Sequence, residues 1–119
     1  MAWDVEYTDE FGEWWNGLTD GEQKDIAVVV GLLAEHGVDL AFPYSSKISG
    51  SSFSSMRELR IQHKGEPYRI LYAFDPRRFA ILLLGVCKTG NNRWYEIHIP
   101  RADKLYHEHL HALAKEERK

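Results

Sequence analysis

Two groups of residues in this 119-residue chain could do chemistry, the triplet His107, Glu108 and His111 near its end and a run of cations in its middle. The triplet spells H-E-x-x-H, in which two histidines four apart share one helix face and can bind Zn²⁺ while the glutamate activates a water. Such a site needs a third ligand well beyond the second histidine. Only "ALAKEERK" follows His111, and its Glu116 and Glu117 sit at a solvated end. His109 lies between the pair on another helix face. The reading is therefore of solvent-facing or packing histidines, with no metal assigned.

The cations carry more. Residues 1–56 hold 2 basic and 10 acidic side chains, whereas residues 57–95 hold 8 basic and 3 acidic ones, so a net −8 gives way to +5. Arg57, Arg60, Lys64, Arg69, Arg77, Arg78, Lys88 and Arg93 together form an electrostatic footprint for an anion, set against the plainer reading of an ordinary solvated sheet face. Strand alternation puts Glu58 and Arg60 on one face, with Leu59 and Ile61 on the other. Arg69 comes from the next strand and Lys88 leaves the end of the third, so Arg60, Arg69 and Lys88 are expected to converge. The plainer reading pairs Arg60 with Glu58 or Asp75 as structural ion pairs.

The elements that must position these residues follow from pattern. "AWDVEYT" alternates as a short half-buried strand. Thr8 caps a short helix carrying Phe11, Trp14, Trp15 and Leu18. Thr19 and Glu22 form a capping box opening a second helix, with Ile26, Val29, Val30 and Leu33 as its stripe and Gly37 as its stop. These make an αα-hairpin. "VDLAFPYSSKISGSSFSS" reads as a long surface connection, free to move. "SMRELRIQH", "EPYRILYAF" and "RFAILLLGVC" read as an antiparallel meander turning at Lys64-Gly65 and Asp75-Pro76. The third strand is so apolar that it is expected either to be central and covered on both faces or to be buried by a partner, with Cys87 buried in it. "KTGNNRWYEIHI" begins with a Gly and Asn turn and is otherwise unassigned. Pro100 suits the first turn of a final helix, whose end, "KEERK", frays.

The rest of the sequence excludes. One cysteine rules out an intramolecular disulfide and a zinc ribbon, and it suits a reducing cytoplasm. No apolar run is long enough to span a bilayer, and the acidic N-terminal stretch is no secretion signal. Neither a G-x-S-x-G elbow nor a phosphate-cradling Gly loop is present. The helical hairpin is acidic, which disqualifies it as a major-groove reader. One domain over residues 1–119, with no repeat, is expected.

The stretch "FPYSSKISGSSFSSMRELRIQHKGEPYRILYAFDPRRFAILLLGVCKTG" resembles the HigB-like branch of the RelE/ParE superfamily of bacterial toxin-antitoxin toxins. The resemblance rests on Pro43, Lys47 and Gly50, on Glu58-Leu59-Arg60, on Tyr68 to Tyr72, and on Lys88. The continuation, with its W-Y pair, I-P and L-Y-x-x-H-L ending, is similar to the actinobacterial form, and His109 belongs to that ending.

The resemblance implies an α+β fold, an N-terminal strand and αα-hairpin packed on a twisted antiparallel sheet with a C-terminal helix. It implies a type II toxin that cuts mRNA on the ribosome without a metal or other cofactor. Its partners would be a cognate helix-turn-helix antitoxin, the ribosome and mRNA, with no membrane. The alternative it leaves is a non-nuclease toxin of the same fold, a gyrase inhibitor or an antitoxin-binding regulatory module. For a ribose 2′-OH attacking the adjacent phosphate, a base, an acid and phosphorane-stabilising cations are needed. Arg60, Arg69 and Lys88 suit the cationic role. Lys88, Glu58, His107 or His109 are the candidates for proton transfer, with packing favoured for His109. Arg57, Lys64, Arg77, Arg78 and Arg93 are left to bind RNA backbone.

Overall fold

In the computed structural model, which describes residues 2–89 and 93–117, the chain order is β1 (Val5–Tyr7), α1 (Asp9–Asn16), α2 (Asp20–His36), a 3-10 turn (Gly37–Asp39), β2 (Ser45–Lys47), β3 (Arg57–His63), β4 (Glu66–Phe74), β5 (Ala80–Cys87) and α3 (Trp94–Glu117). The Gly and Asn turn expected at 90–92 lies outside the described residues. The fold is α+β, as expected.

Local chemistry sets the hairpin. The Thr8 side chain accepts the Phe11 N–H at 3.1 Å, and Thr19 and Glu22 close both bonds of a capping box, which satisfies orphan donors at each helix start. Gly37 ends α2 at φ +57°, with the Trp3 ring lying where a Cβ would stand. Lys64 and Gly65, both at positive φ, make the tight turn joining β3 to β4, the backbone that a two-residue hairpin requires.

The strands form one sheet in the order β1-β5-β4-β3-β2. Two features depart from the expected antiparallel meander. β1 pairs in parallel with β5, Val5 opposite Ala80, so the sheet is mixed. Thr8 holds that edge, its backbone N–H donating to Leu82 O at 3.1 Å and its hydroxyl to Leu83 O at 2.6 Å. Within the connection expected to be irregular, Ser45–Lys47 adds an edge strand, Ser46 lying opposite Glu58. Nor is the rest of that connection loose: the Ser51 hydroxyl and the Ser52 N–H donate to Asp103 at 2.5 and 2.8 Å, and Phe53 meets Tyr106 edge to face.

Both sheet faces are covered. On one, Leu59, Ile61, Ile70, Tyr72 and Leu82 pack beneath Phe11, Ile26, Val29 and Leu33. On the other, Leu71, Ala73, Ile81, Leu83 and Leu84 pack against Trp94, Ile99, Ala102, Leu105 and Tyr106 of α3. The near-continuous apolar run of β5 is the consequence, since a strand buried on both faces has no polar side to show. Gly85 leaves room for the Trp14 ring, which would stand 2.3 Å from a Cβ.

Two further expectations are corrected. α3 starts at Trp94, so Pro100 lies inside it instead of in its first turn. The missing N–H and ring clash of an interior proline cost about 3 kcal/mol or more. Burial of Trp94 and Ile99, 1% and 4% exposed, offsets this, at roughly 1.5–3 kcal/mol for each large apolar side chain. Cys87 is exposed, not buried, because it is the last residue of β5, and its sulfur lies 3.1 Å from the Thr89 hydroxyl. Among the described residues no helix is long and apolar enough to cross a membrane.

Candidate functional site

Glu58 is a carboxylate in the sheet, 2% exposed. A buried charge of this kind persists only when its lone pairs are filled; three elements supply the donors and a fourth brings a cation. Ser46 of β2 donates to Oε2 at 2.8 Å. Arg60 of β3 donates to the same oxygen at 3.0 Å. Tyr95 of α3 donates to Oε1 at 2.7 Å, and Arg69 of β4 brings Nε to 3.8 Å from it. Lys88, just past β5, donates to the Tyr95 hydroxyl at 3.3 Å and sits over that ring, 4.6 Å from its centroid.

Arg60, Arg69 and Lys88 therefore do meet, around Glu58 and Tyr95. Arg60 and Arg69 are register partners across β3 and β4, and antiparallel pairing keeps such Cα atoms about 4.5–5.5 Å apart. Three cations against one carboxylate leave the cluster net positive. Arg69 is buried; one guanidinium nitrogen donates to Tyr68 O at 2.9 Å, while its Nε has no hydrogen-bond acceptor. Burial first, then the bond to Glu58, pushes the Tyr95 phenol above its ordinary range. At neutral pH it is a donor.

The other candidates scatter. Arg57 lies on the opposite face by strand alternation and donates to the Ser45 hydroxyl at 3.0 Å. Lys64, at the tip of the β3–β4 turn, and Arg93, ahead of α3 and bonded to Glu96 at 3.0 Å, lie at the same sheet end as Lys88. Arg77 and Arg78 do not. They follow β4 at its far end, roughly 20 Å along the strand from Arg69 at about 3.3 Å per residue. Arg77 donates to Asp75 and Glu6, each at 2.7 Å, and Arg78 lies over the Trp3 ring. Of the two carboxylates expected as partners of Arg60, Asp75 is thus taken by Arg77, and Arg60 takes Glu58.

His109 shares that far end, with Nε2 2.9 Å from Asp75 Oδ2 and its ring stacked on Tyr106. It fastens α3 to the β4–β5 turn. His107, Glu108 and His111 are exposed, and among the described residues no three His, Cys, Asp or Glu side chains gather to hold a metal. A groove of about 680 Å³ runs between β1, α1 and α2 and touches none of the cluster.

Sequence reasoning missed Ser46 and Tyr95. Ser46 sits in a strand with no periodicity to betray it. Tyr95 stood in the W-Y pair, yet only the early start of α3 turns its hydroxyl into a link between Lys88 and Glu58.

Comparison with known proteins agrees with this architecture. Residues 13–107 match the family "Phage derived protein Gp49-like (DUF891)". The chain is 42% identical over 92 residues to a Mycobacterium tuberculosis protein named "Putative toxin HigB3", covering 76% of this chain and 79% of that one. It is 34% identical over 112 residues to "Putative toxin HigB2" of the same organism, covering 92% of this chain and 55% of that one. With four-fifths of its length inside the family match and two such relatives, the chain belongs to the Gp49-like (DUF891) family, that of the HigB-like toxins.

Proposed function

We propose that this chain is the toxin of a type II toxin-antitoxin pair and acts in the cytoplasm as a metal-independent endoribonuclease, cutting mRNA on the ribosome until a helix-turn-helix antitoxin neutralises it. One observation supports the chemistry: Arg60, Arg69 and Lys88 gather about a buried carboxylate. In 2′-OH attack on a phosphodiester, negative charge grows on the phosphorane, and preorganised cations stabilise it more than they stabilise the ground state. Arg69, its Nε unsatisfied and its guanidinium held by Tyr68 O and Glu58, is the cation best fixed in place. Arg60 and Lys88 flank it.

Of the four proton-transfer candidates, His107 and His109 stand with the far end of the sheet. Glu58 takes the proton of the 2′-OH, exchanging one of its donors for the substrate. Lys88, half-buried beside Tyr95, gives a proton to the leaving 5′ oxygen. General acid and base groups of this kind contribute about 10²- to 10⁴-fold each.

The test is induction in a bacterial host with mapping of mRNA ends. The wild type arrests growth with cuts inside codons, and Lys88→Ala and Arg69→Gln relieve it; both stay folded by circular dichroism. Arrest with intact mRNA and damaged DNA would replace this reading with gyrase inhibition.

A further inference from the structure

Beside the Glu58 cluster an aromatic ring is left in solvent. Phe42 is 71% exposed and Tyr44 44% exposed. A ring so open adds little to the stability of the fold, since the apolar gain scales with the area removed from water. The backbone nevertheless fixes this segment: Tyr44 and Ser45 N–H groups donate to Ala41 O at 3.0 and 3.1 Å, and the Arg60 N–H donates to Tyr44 O at 2.9 Å. Arg60 thus joins the segment to the cluster twice. Its guanidinium lies 5.2 Å from the Phe42 ring centroid and bonds Glu58 at 3.0 Å.

Beyond Arg60 the edge of β3 is uncovered, because β2 pairs only with Arg57–Leu59 and the bond from Arg60 to Tyr44 O continues that pairing by one residue. A groove of about 360 Å³ runs along it, lined by Pro43, Tyr44, Arg60, Gln62, Val28 and Asp25 among others. Its chemistry is that of a base-binding site: aromatic and guanidinium faces for stacking, and an exposed amide, Gln62, offering one donor and one acceptor face to a base edge. The groove is lined by one cation and one carboxylate, Arg60 and Asp25, while the stretch 57–95 that supplies β3 and the cluster is net +5 in a chain of net −3, which suits a phosphodiester strand and opposes a basic peptide.

We propose that Phe42, with Tyr44 and Arg60, is the stacking platform for one unpaired base of single-stranded RNA, placed so that a neighbouring phosphate reaches the Glu58 cluster. This rests on the nuclease reading above. Phe42 does no bond chemistry; it holds a nucleotide, while Arg60 contacts base and phosphate together. The platform supplies affinity for any base through stacking, and Gln62 supplies a preference among bases.

The experiment measures binding of the full chain to ribosomes programmed with mRNA in two forms, one whose A-site codon is present with 2′-O-methyl groups that block cleavage, and one whose mRNA ends before that codon. The wild type binds the filled site more tightly. Phe42→Ala weakens that binding by about 5- to 150-fold, the range of one lost base–aromatic stack, and leaves binding to the empty site unchanged. Phe42→Trp retains wild-type affinity. Replacing a ring this exposed leaves the thermal unfolding midpoint unmoved. Equal binding of wild type to filled and empty sites overturns the nuclease reading and the platform together. A wild-type preference that Phe42→Ala keeps in full overturns the platform alone. Loss of antitoxin binding in Phe42→Ala with RNA binding intact assigns the ring to the protein partner and equally overturns it.

Discussion

The Tyr95 hydroxyl donates to Glu58 Oε1 at 2.7 Å across 37 residues of sequence. This one bond ties α3 to β3 and hands Lys88 its place, because the same hydroxyl accepts from Lys88 Nζ.

Tyr95→Phe therefore removes a donor from a buried carboxylate and the acceptor of Lys88 at once. The ring stays, so packing changes little. Leaving Glu58 short of one partner costs about 1–3 kcal/mol of stability, read as a lower unfolding midpoint in denaturant. Cleavage falls by about tenfold or more, the scale of a misplaced acid or base group. An unchanged midpoint would show that Glu58 does not depend on Tyr95.

The second prediction concerns acid. Burial alone would raise the Asp75 carboxyl, but hydrogen bonds from Arg77, from His109 and from the Phe79 N–H outweigh it and hold the group below the usual carboxylate range. A carboxyl depressed in the folded state contributes stability above its unfolded value, about 3.9, and loses that contribution as pH falls through its lower folded value. Stability measured below about pH 4 thus falls with acid, and Asp75→Asn flattens that limb while lowering stability at pH 7.

The histidines separate by the same logic. His109→Gln loses its bond to Asp75 and costs about 0.5–1.5 kcal/mol, the net worth of one hydrogen bond, with cleavage unaltered. His107→Ala changes neither quantity. Treatment with EDTA leaves cleavage intact. A loss restored by zinc would bring the H-E-x-x-H triplet back into consideration.

Gly85→Ala tests the packing of α1 on the sheet. A Cβ there would stand 2.3 Å from the Trp14 ring, so α1 must shift or the ring must leave. Overpacking of this sort costs about 1–3 kcal/mol. Gly85→Ala with Trp14→Leu recovers part of it, measured as a double-mutant cycle.

What was legible in the sequence was what is local. The caps at Thr8 and Thr19, the stop at Gly37 and the Lys64-Gly65 turn each depend on neighbours a few residues away. The parallel pairing of β1 was not, because Val5 meets Ala80 and no periodicity reports a contact so distant. Pro100 concealed the start of α3, since only burial of Trp94 and Ile99 explains a proline inside that helix. Convergence of Arg60, Arg69 and Lys88 was readable from strand order. That Arg77 and Arg78 fall at the other end was readable too, once residues between Arg69 and Asp75 are counted along a strand. Tyr95 was not, because its role needs three elements in place.

The long reach of the Tyr95 bond also orders events in time. β1 has no sheet partner until β5 exists, and Glu58 lacks its last donor until α3 has been made. During synthesis, the first 93 residues hold every strand yet lack both Tyr95 and the helix that covers Leu71, Ile81 and Leu83. Contacts of such high sequence separation form late because loop closure must precede them. A chain without α3 carries all three cations but not the hydroxyl that joins Lys88 to Glu58, so docking of α3 is itself the step that arms the site.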